Sequence, residues 1–519
     1  MMRRFLPLLL AVLSVFMMFS FSATAEAEYK NTTATVSGFS SKNSLFDAKR
    51  NTYVKAGDNA SVTLTREDGI SHIYIEFDRT PTVWTIKDTS SDETAECGKY
   101  GFLHEYVNVE ELFGYAPKSV KMSFQKGTVI ADIYGLSSGE LPKFVQVWNP
   151  PCEKADMMII TTHSDDEQLF FAGTLPYYAI ERKLQVQIVY GVQHFEAYGA
   201  QDHTRPHEQI DGLYTVGIRN YPVISDIPDI YAESKDRDTA YKQAIANFGA
   251  VGVKFDDFKS YIVENIRRFK PQVVISHDLN GEYGHGAHVL VSTALTEVIE
   301  ISDDKTQFPE SADKYGTWKP LKTYLHLYGE NKITLDWDTP LESMDGKTPF
   351  QVSQDGFRCH KSQHWTWFYG WMYGKNGETV TKASEITQYS PCEFGLYDSS
   401  VGSDVNKNDF MENVVSYAQQ KAEQEALEEQ KRLEEEAKKK AEEESRAAEE
   451  EAKRKAEEEE QKRKDELSSA IQDKQEENEQ AYTWIVIIAS FAIFGTIALF
   501  FIQSSQKSKK KKRNNALKK

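Results

Sequence analysis

The chain has 519 residues, a formal net charge of −18, 40% hydrophobic and 27% charged residues, and four cysteines. That length accommodates two or three domains with a sizeable core, and with no clustering of basic and aromatic side chains a nucleic-acid partner is excluded. The charge says little about partners, because residues 421–480 alone hold 23 acidic against 14 basic residues, half of the total.

In chain order, Arg3 and Arg4, an apolar middle and the run Ala23-Thr24-Ala25 predict a secretory signal peptide over residues 1–25, with an uncleaved N-terminal anchor as the alternative. The mature chain would then begin near Glu26. Residues 26–140 carry short alternating runs such as SVTLT, IYIEF and VWTI between Asp, Gly, Ser and Pro, the pattern of an all-β sandwich. NSLFDAKRNTYVKAG is similar to the opening of discoidin-like, galactose-binding jelly rolls. Such a module either binds glycan or is a structural appendage. Trp84 and Tyr53 are read as core rather than as sugar platforms.

A linker punctuated by Pro150 and Pro151 leads into residues 141–410. Strands expected at 155–161 and 184–190 alternate with helical patterns at 205–216, 239–248 and 255–269. This alternation predicts an α/β domain, a Rossmann-like three-layer arrangement around a parallel sheet. No G-x-G-x-x-G follows the first strand, so a dinucleotide cofactor is not expected.

The chemistry lies at two strand ends. In MMIITTHSDDEQLFFAG, residues 157–173, an apolar run breaks at His163, Asp165, Asp166 and Glu167 and resumes as a helix start. Alone this is also ordinary loop and N-cap composition. A second strand, PQVVIS, runs into HDLNGEYGHGAH, residues 277–288. Ligands of open α/β sheets bind at the carboxyl ends of strands, so the two loops can converge on one ion. Imidazole nitrogen and carboxylate oxygen suit zinc, and a catalytic zinc keeps three protein ligands, a set that His163, Asp166 and His288 would fill. Fe²⁺ suits the same donors. Asp165 would act as base, with Tyr283 and His285 at the oxyanion and the leaving group.

THSDDE resembles the A-H-P-D-D-E signature of the PIG-L (LmbE-like) N-deacetylase family, and HDLNGEYGHGAH is similar to its Gly-Tyr-Gly-His-x-x-His segment. Arg205 and Glu208, in TRPHEQIDGLYTVGI, match the family's middle helix. The resemblance spans residues 155–328. It implies a zinc-dependent hydrolase that removes acetyl groups from N-acetylglucosamine-type sugars. It implies metal ligands at His163, Asp166 and His288, a general base at Asp165, carbonyl and amine partners at Tyr283 and His285, and a substrate contact at Arg205. Ser164 stands where the family usually has Pro, and Ala287 where many members have Asp.

His194, His203 and His207 are read as rim residues outside the site. The region after Tyr328 reads as an irregular β extension, in which His360, Ser362, Gln363 and His364, beside Trp365 and Trp367, either contact a sugar ring or form a packed loop. Four cysteines in an exported chain allow two disulfides, and sequence proximity favours Cys97 with Cys152 and Cys359 with Cys392, with free buried thiols as the alternative.

Residues 411–480 read as a Glu/Lys-rich helical stalk. Leu427, Leu433 and Leu467 are too sparse for a strict heptad seam, and Glu to Lys pairs four apart favour a solvated single helix over a weak coiled coil. Residues 481–502 are 22 uncharged residues, a length expected to cross a bilayer, and the Lys-rich tail at 503–519 predicts a cytoplasmic C-terminus. The resulting expectation is a single-pass protein of the cell membrane whose extracellular zinc N-deacetylase domain acts on acetamido sugars or a cell-surface glycan. The alternative is a glycan-binding surface protein with an inactive deacetylase domain.

Overall fold

The computed structural model describes residues 27–194, 196–197, 200–201, 203–474 and 487–498. The described residues up to 421 form one compact unit and those from 422 onward another.

The first sheet is antiparallel and has eight strands: β1 (Thr33–Phe39), β2 (Val54–Thr65), β3 (His72–Phe77), β4 (Trp84–Asp88), β5 (Thr94–Cys97), β6 (His104–Asn108), β7 (Ser119–Ser123) and β8 (Val129–Leu136). Strand β2 joins two layers. Its first residues, Val54 and Lys55, pair with β8, and Ser61 to Thr65 pair with β1 and β7. Alternation packs the sandwich: Val62, Leu64, Ile73, Ile75, Ile86, Val120 and Met122 share one apolar core. Trp84 is in that core, its indole N–H donating to Glu105 at 2.7 Å. Tyr53 departs from expectation: it is 42% exposed and stacks on His203, with ring centroids 4.3 Å apart.

The second sheet is built from β9 (Met157–Thr161), β10 (Val186–Tyr190), β13 (Val223–Ile224), β14 (Val273–Ser276), β15 (Lys322–His326), β16 (Lys332–Thr334) and β17 (Glu393–Ser399). A two-stranded ribbon, β11 (Glu196–Ala197) and β12 (Ala200–Gln201), lies outside it. The order is β13-β10-β9-β14-β15-β17-β16. The first five strands are parallel, and β17 is antiparallel to β15 and β16. Strand β9 reads as continuously apolar because both faces are covered. Met157 and Ile159 enter one core, and Met158 and Ile160 enter another beneath the helices. Each such side chain contributes about 1.5–3 kcal/mol on burial. The chain runs from β9 to β10 on one side and returns to β14 on the other. The gap between the carboxyl ends of β9 and β14 is therefore the topological switch point, where ligands of such sheets bind.

The helices used below are α1 (Asp166–Leu169), α2 (Arg205–Thr215), α3 (Arg237–Ala250), α4 (Phe255–Phe269), α5 (Gly286–Ile299), α6 (Pro349–Phe357), α7 (Trp367–Tyr373) and α8 (Tyr417–Lys474). Helices α3, α4 and α5 cover one face of the second sheet through Phe248, Phe258, Ile262, Leu290 and Leu295. The expected irregular β extension is instead partly helical: α6 and α7 lie between β16 and β17. Pro349 at the first turn and the reciprocal Thr348/Gln351 capping box start α6 locally.

Two further expectations are corrected. All four cysteines are free thiols. They are wholly or partly buried, and burial raises the Cys97, Cys152 and Cys392 thiols to about 12, which suppresses the thiolate needed for exchange. The signal peptide at 1–25 and the basic tail at 503–519 lie outside the described residues. Of the expected span over 481–502 only residues 487–498 are described, as a helix. Crossing a bilayer of about 30 Å takes about 20 apolar residues. Among the described residues no helix is long and apolar enough to do so, and this overturns the expected single-pass placement at the cell membrane. Helix α8 is long but charged. Leu427 and Leu433 are exposed, and Lys439, Lys455 and Lys464 pair with the Glu four residues before each.

Candidate active site

The β9 loop turns sharply into α1. Asp165 holds a backbone φ of +116°, a conformation that an L residue adopts only under constraint. The constraint is visible in the bonds: the His163 N–H donates to Asp166 Oδ2 at 2.7 Å and the Asp165 N–H to Glu167 Oε2 at 3.1 Å. After β14 the chain makes a second tight loop, with Glu282 at φ +52° and Gly284 at φ +93°. A Cβ on Gly284 would lie 2.0 Å from the Ser234 carbonyl, so only glycine lets segment 232–234 cross there.

These loops bring three donor atoms together. His163 Nδ1 lies 2.9 Å from His288 Nε2 and 3.3 Å from Asp166 Oδ2, and His288 Nε2 lies 3.2 Å from Asp166 Oδ2. Bonds of about 2.05 Å in a tetrahedral set give ligand edges of about 3.4 Å, so these spacings fit a small divalent cation. All three residues are buried.

Each imidazole is oriented from behind by a carboxylate. His163 Nε2 lies 3.2 Å from Asp229 Oδ1, and His288 Nδ1 lies 2.6 Å from Glu282 Oε2, leaving His163 Nδ1 and His288 Nε2 to face each other and Asp166. Metal-binding histidines are commonly held in this way. Burial opposes a charge on His163, but Asp229 and Asp166 outweigh it and push the imidazole up to about 10. Burial likewise opposes ionisation of Asp166, yet His288 and His163 hold its carboxyl well below the usual range. The pocket is electrostatically built for positive charge.

Asp165 points at Arg205, with Oδ1 3.6 Å from the guanidinium, which also donates to the Ser164 carbonyl at 3.3 Å. Burial raises the Asp165 carboxyl to about 7 although Arg205 pulls it down. A carboxylate titrating near neutrality is suited to proton transfer. Tyr283 and His285 stand on the opposite loop, 5.6 Å apart between ring centroids, and His285 is 4.6 Å from His163. Burial, then Asp166 and Asp165, hold the Tyr283 phenol well above its ordinary value, so it keeps its proton. Burial and the neighbouring His163 and His288 hold His285 well below its ordinary value, and its buried Nδ1 has no hydrogen-bond partner among the described residues. Ala287 supplies no carboxylate there.

His285 and His277 also come within ligand-atom range of this centre, in the groups His163/His285/His288 and Asp166/His277/His288. The lone pair of His277 Nε2 is already engaged, since it accepts the Thr162 N–H at 3.0 Å while Nδ1 donates to Glu282 Oε1 at 3.1 Å. Glu282 also meets His326 Nδ1 at 3.0 Å, so one buried carboxylate gathers three imidazoles. Sequence reasoning missed Asp229, Glu282, His277, His326 and His194 as supports. The one local signal was Glu282, an acid set between Gly281 and Gly284 in the glycine-rich loop. His194 was placed on the rim, but it is buried and its Nε2 accepts the Ser164 N–H at 3.1 Å.

In the extension, His360 is buried against Gln168 and Ser362 donates its N–H to Glu208 at 2.9 Å, which makes this stretch a packed loop. Trp365 is 84% exposed, and Trp367 packs edge-on to Tyr283 at 5.7 Å.

Fold and centre together define a candidate divalent-metal site at the switch point of an α/β sheet. The model of the PIG-L family, described as GlcNAc-PI de-N-acetylase, matches residues 158–299, and this region is a PIG-L domain. A mycothiol S-conjugate amidase of Streptomyces coelicolor is 39% identical over 64 residues, 12% of this chain and 21% of that protein. A 1D-myo-inositol 2-acetamido-2-deoxy-alpha-D-glucopyranoside deacetylase of Rhodococcus erythropolis is 33% identical over 69 residues, 13% of this chain and 23% of that protein. The chain thus spans under a quarter of the length of these curated relatives. Among solved structures, the N,N'-diacetylchitobiose deacetylase from Pyrococcus horikoshii is 15% identical, with a TM-score of 0.27 over 41% of this chain and 72% of that one.

Proposed function

We propose that the protein is a metal-dependent N-deacetylase acting on N-acetylglucosamine-type sugars or glycoconjugates. Its parts are a galactose-binding-like sandwich over 26–140, a deacetylase domain over 141–410 and a helical stalk over 411–480. The observation that carries the reading is the convergence of His163 Nδ1, Asp166 Oδ2 and His288 Nε2 within 3.3 Å of one another, with Asp165 beside them. His163, Asp166 and His288 would hold the ion, Zn²⁺ or Fe²⁺ by donor chemistry. When bound, such an ion polarises the amide carbonyl and acidifies water.

Asp165 takes a proton from the water that attacks the acetamido carbon. Tyr283, held protonated, donates a hydrogen bond to the carbonyl oxygen as it gains charge, and His285, expected from the sequence at the leaving group but held neutral by burial, donates to the same oxygen instead. The proton on Asp165 passes to the nitrogen as the C–N bond breaks, leaving acetate and a free amine. Arg205 restrains Asp165 and faces the substrate from α2. Metal content and acetate release from N-acetylglucosamine and its oligomers, measured on the full chain and its His288→Ala variant, test the reading. Bound divalent metal and acetate release, both lost in the variant, are expected. A wild-type chain that binds metal but releases no acetate from any acetamido sugar would remove the reading.

A further inference from the structure

The sandwich does not simply sit beside the deacetylase region; it grips the helix that carries Arg205. His203, His207, Asp211 and Tyr214 are spaced four, four and three apart, so they form one stripe along α2 and the residues leading into it. Three members of the stripe are held by sandwich residues, and the fourth, Tyr214, by the segment that follows the sandwich. His203 Nδ1 donates to both oxygens of Asp78 at 2.7 Å, while the Tyr53 hydroxyl lies 3.2 Å from its Nε2. His207 Nδ1 is 2.7 Å from His104 Nε2. Asp211 accepts from Arg50 and, at 2.7 Å, from Gln146 Nε2. The Val147 N–H donates to the Tyr214 hydroxyl at 3.2 Å.

The proton order in this chain is determined. His104 Nδ1 faces the Gln146 carbonyl oxygen at 2.9 Å, an acceptor, so the proton is on Nδ1 and Nε2 accepts from His207. Arg50 is itself anchored on Glu76 of β3, at 2.7 Å. The connection therefore runs from the sandwich sheet through directional bonds, buried at His104–His207 and part-buried at Asp78–His203 and Arg50–Asp211, to the helix whose first residue reaches the Ser164–Asp165 turn.

The geometry points to the sandwich as a built-in positioning element of the catalytic centre: Asp78, His104 and Arg50 set the place of α2, and thereby of the Arg205 guanidinium against Asp165 and the substrate. This rests on the proposed deacetylase reading only for the substrate side; the grip itself does not. These residues touch neither the metal donors nor the reacting atoms, so they position and do not catalyse.

The test uses the full chain with Asp78→Ala, Asp78→Asn, His104→Ala and, as a control, Asp68→Ala. Amide hydrogen exchange over residues 203–215 is read beside metal content and the kinetics of acetate release from N-acetylglucosamine oligomers. Asp78→Ala and His104→Ala are expected to raise exchange in that segment and to raise KM roughly tenfold, with kcat within about twofold and metal retained, the split a positioning defect produces. Asp78→Asn, which keeps an acceptor for His203, should restore most of the wild-type KM. Asp68→Ala, which breaks the Arg66–Asp68 pair within the sandwich, should change none of these. Unchanged exchange at 203–215 in Asp78→Ala and His104→Ala overturns the inference, as does raised exchange with an unchanged KM. If the wild type releases no acetate at all, the deacetylase reading falls, and the exchange measurement alone decides the grip.

Discussion

The molecule contains two buried imidazole pairs that look alike and behave oppositely. His163 and His288 approach to 2.9 Å, and His104 and His207 to 2.7 Å. Behind the first pair stand carboxylates, Asp229 and Glu282, with Asp166 between the rings. Behind the second stand an amide, Gln146, on His104 and no hydrogen-bond partner among the described residues on His207 Nε2. Burial lowers both members of the second pair, with the Arg50 guanidinium adding to it at each, so they remain neutral and join by one hydrogen bond. At His163, in the first pair, the acids overcome burial, and with Asp166 between the rings the pair offers a place for a cation. Between these two pairs, alike in burial and spacing, the groups behind the rings separate a structural link from a candidate metal site.

Several substitutions break or sharpen this contrast. The largest effect is expected from His288→Ala, which should abolish stoichiometric metal binding and acetate release, whereas the equally buried His207→Ala should keep its metal, as elemental analysis of the purified chains would show. Next is Asp165→Asn: it should retain metal and lower kcat by about 10²–10⁴, the usual worth of a positioned proton-transfer group. A loss smaller than tenfold would remove Asp165 from that role.

Glu282→Gln and Asp229→Asn remove the charge behind each ligand without removing the ligand. Metal affinity should fall by about 10–100-fold in competition with a chelator. An unchanged affinity in both variants would mean that the carboxylates are not what separates the two pairs. The smallest effect is on pH. Asp165 must be ionised to act, and burial raises it to about 7, so kcat/KM should fall as pH drops through that region. Because Arg205 lowers this value, Arg205→Met should move the acid limb to higher pH; a shift to lower pH would contradict the arrangement.

The residues that converge on the candidate site were legible because each pair of clues is local. His163 and Asp166 share one turn, and His285 and His288 open one helix, so spacing alone brings their side chains to the same end of a strand. The apolar runs of β9 and β14, and the helix over Phe255–Phe269, were legible for the same reason: period and punctuation are properties of neighbours. The extension after Tyr328 was misread because its many aromatics suggest strand, while α6 and α7 are set by a capping box and by packing against residues far away. The pairing of the cysteines was misjudged from proximity in the chain, which does not bring thiols together in space.

By itself, then, the sequence determined an α/β domain with a β-rich region before it, and the donor types of the candidate metal site. Tertiary structure alone decided which carboxylate stands behind which imidazole: Asp229 lies 66 residues from His163, and Asp78 lies 125 from His203. The physical reason is that such pairs form only when sheet order and helix packing place two distant segments side by side. No local periodicity encodes that placement, because the energy enforcing it is the burial of a core shared by the whole unit.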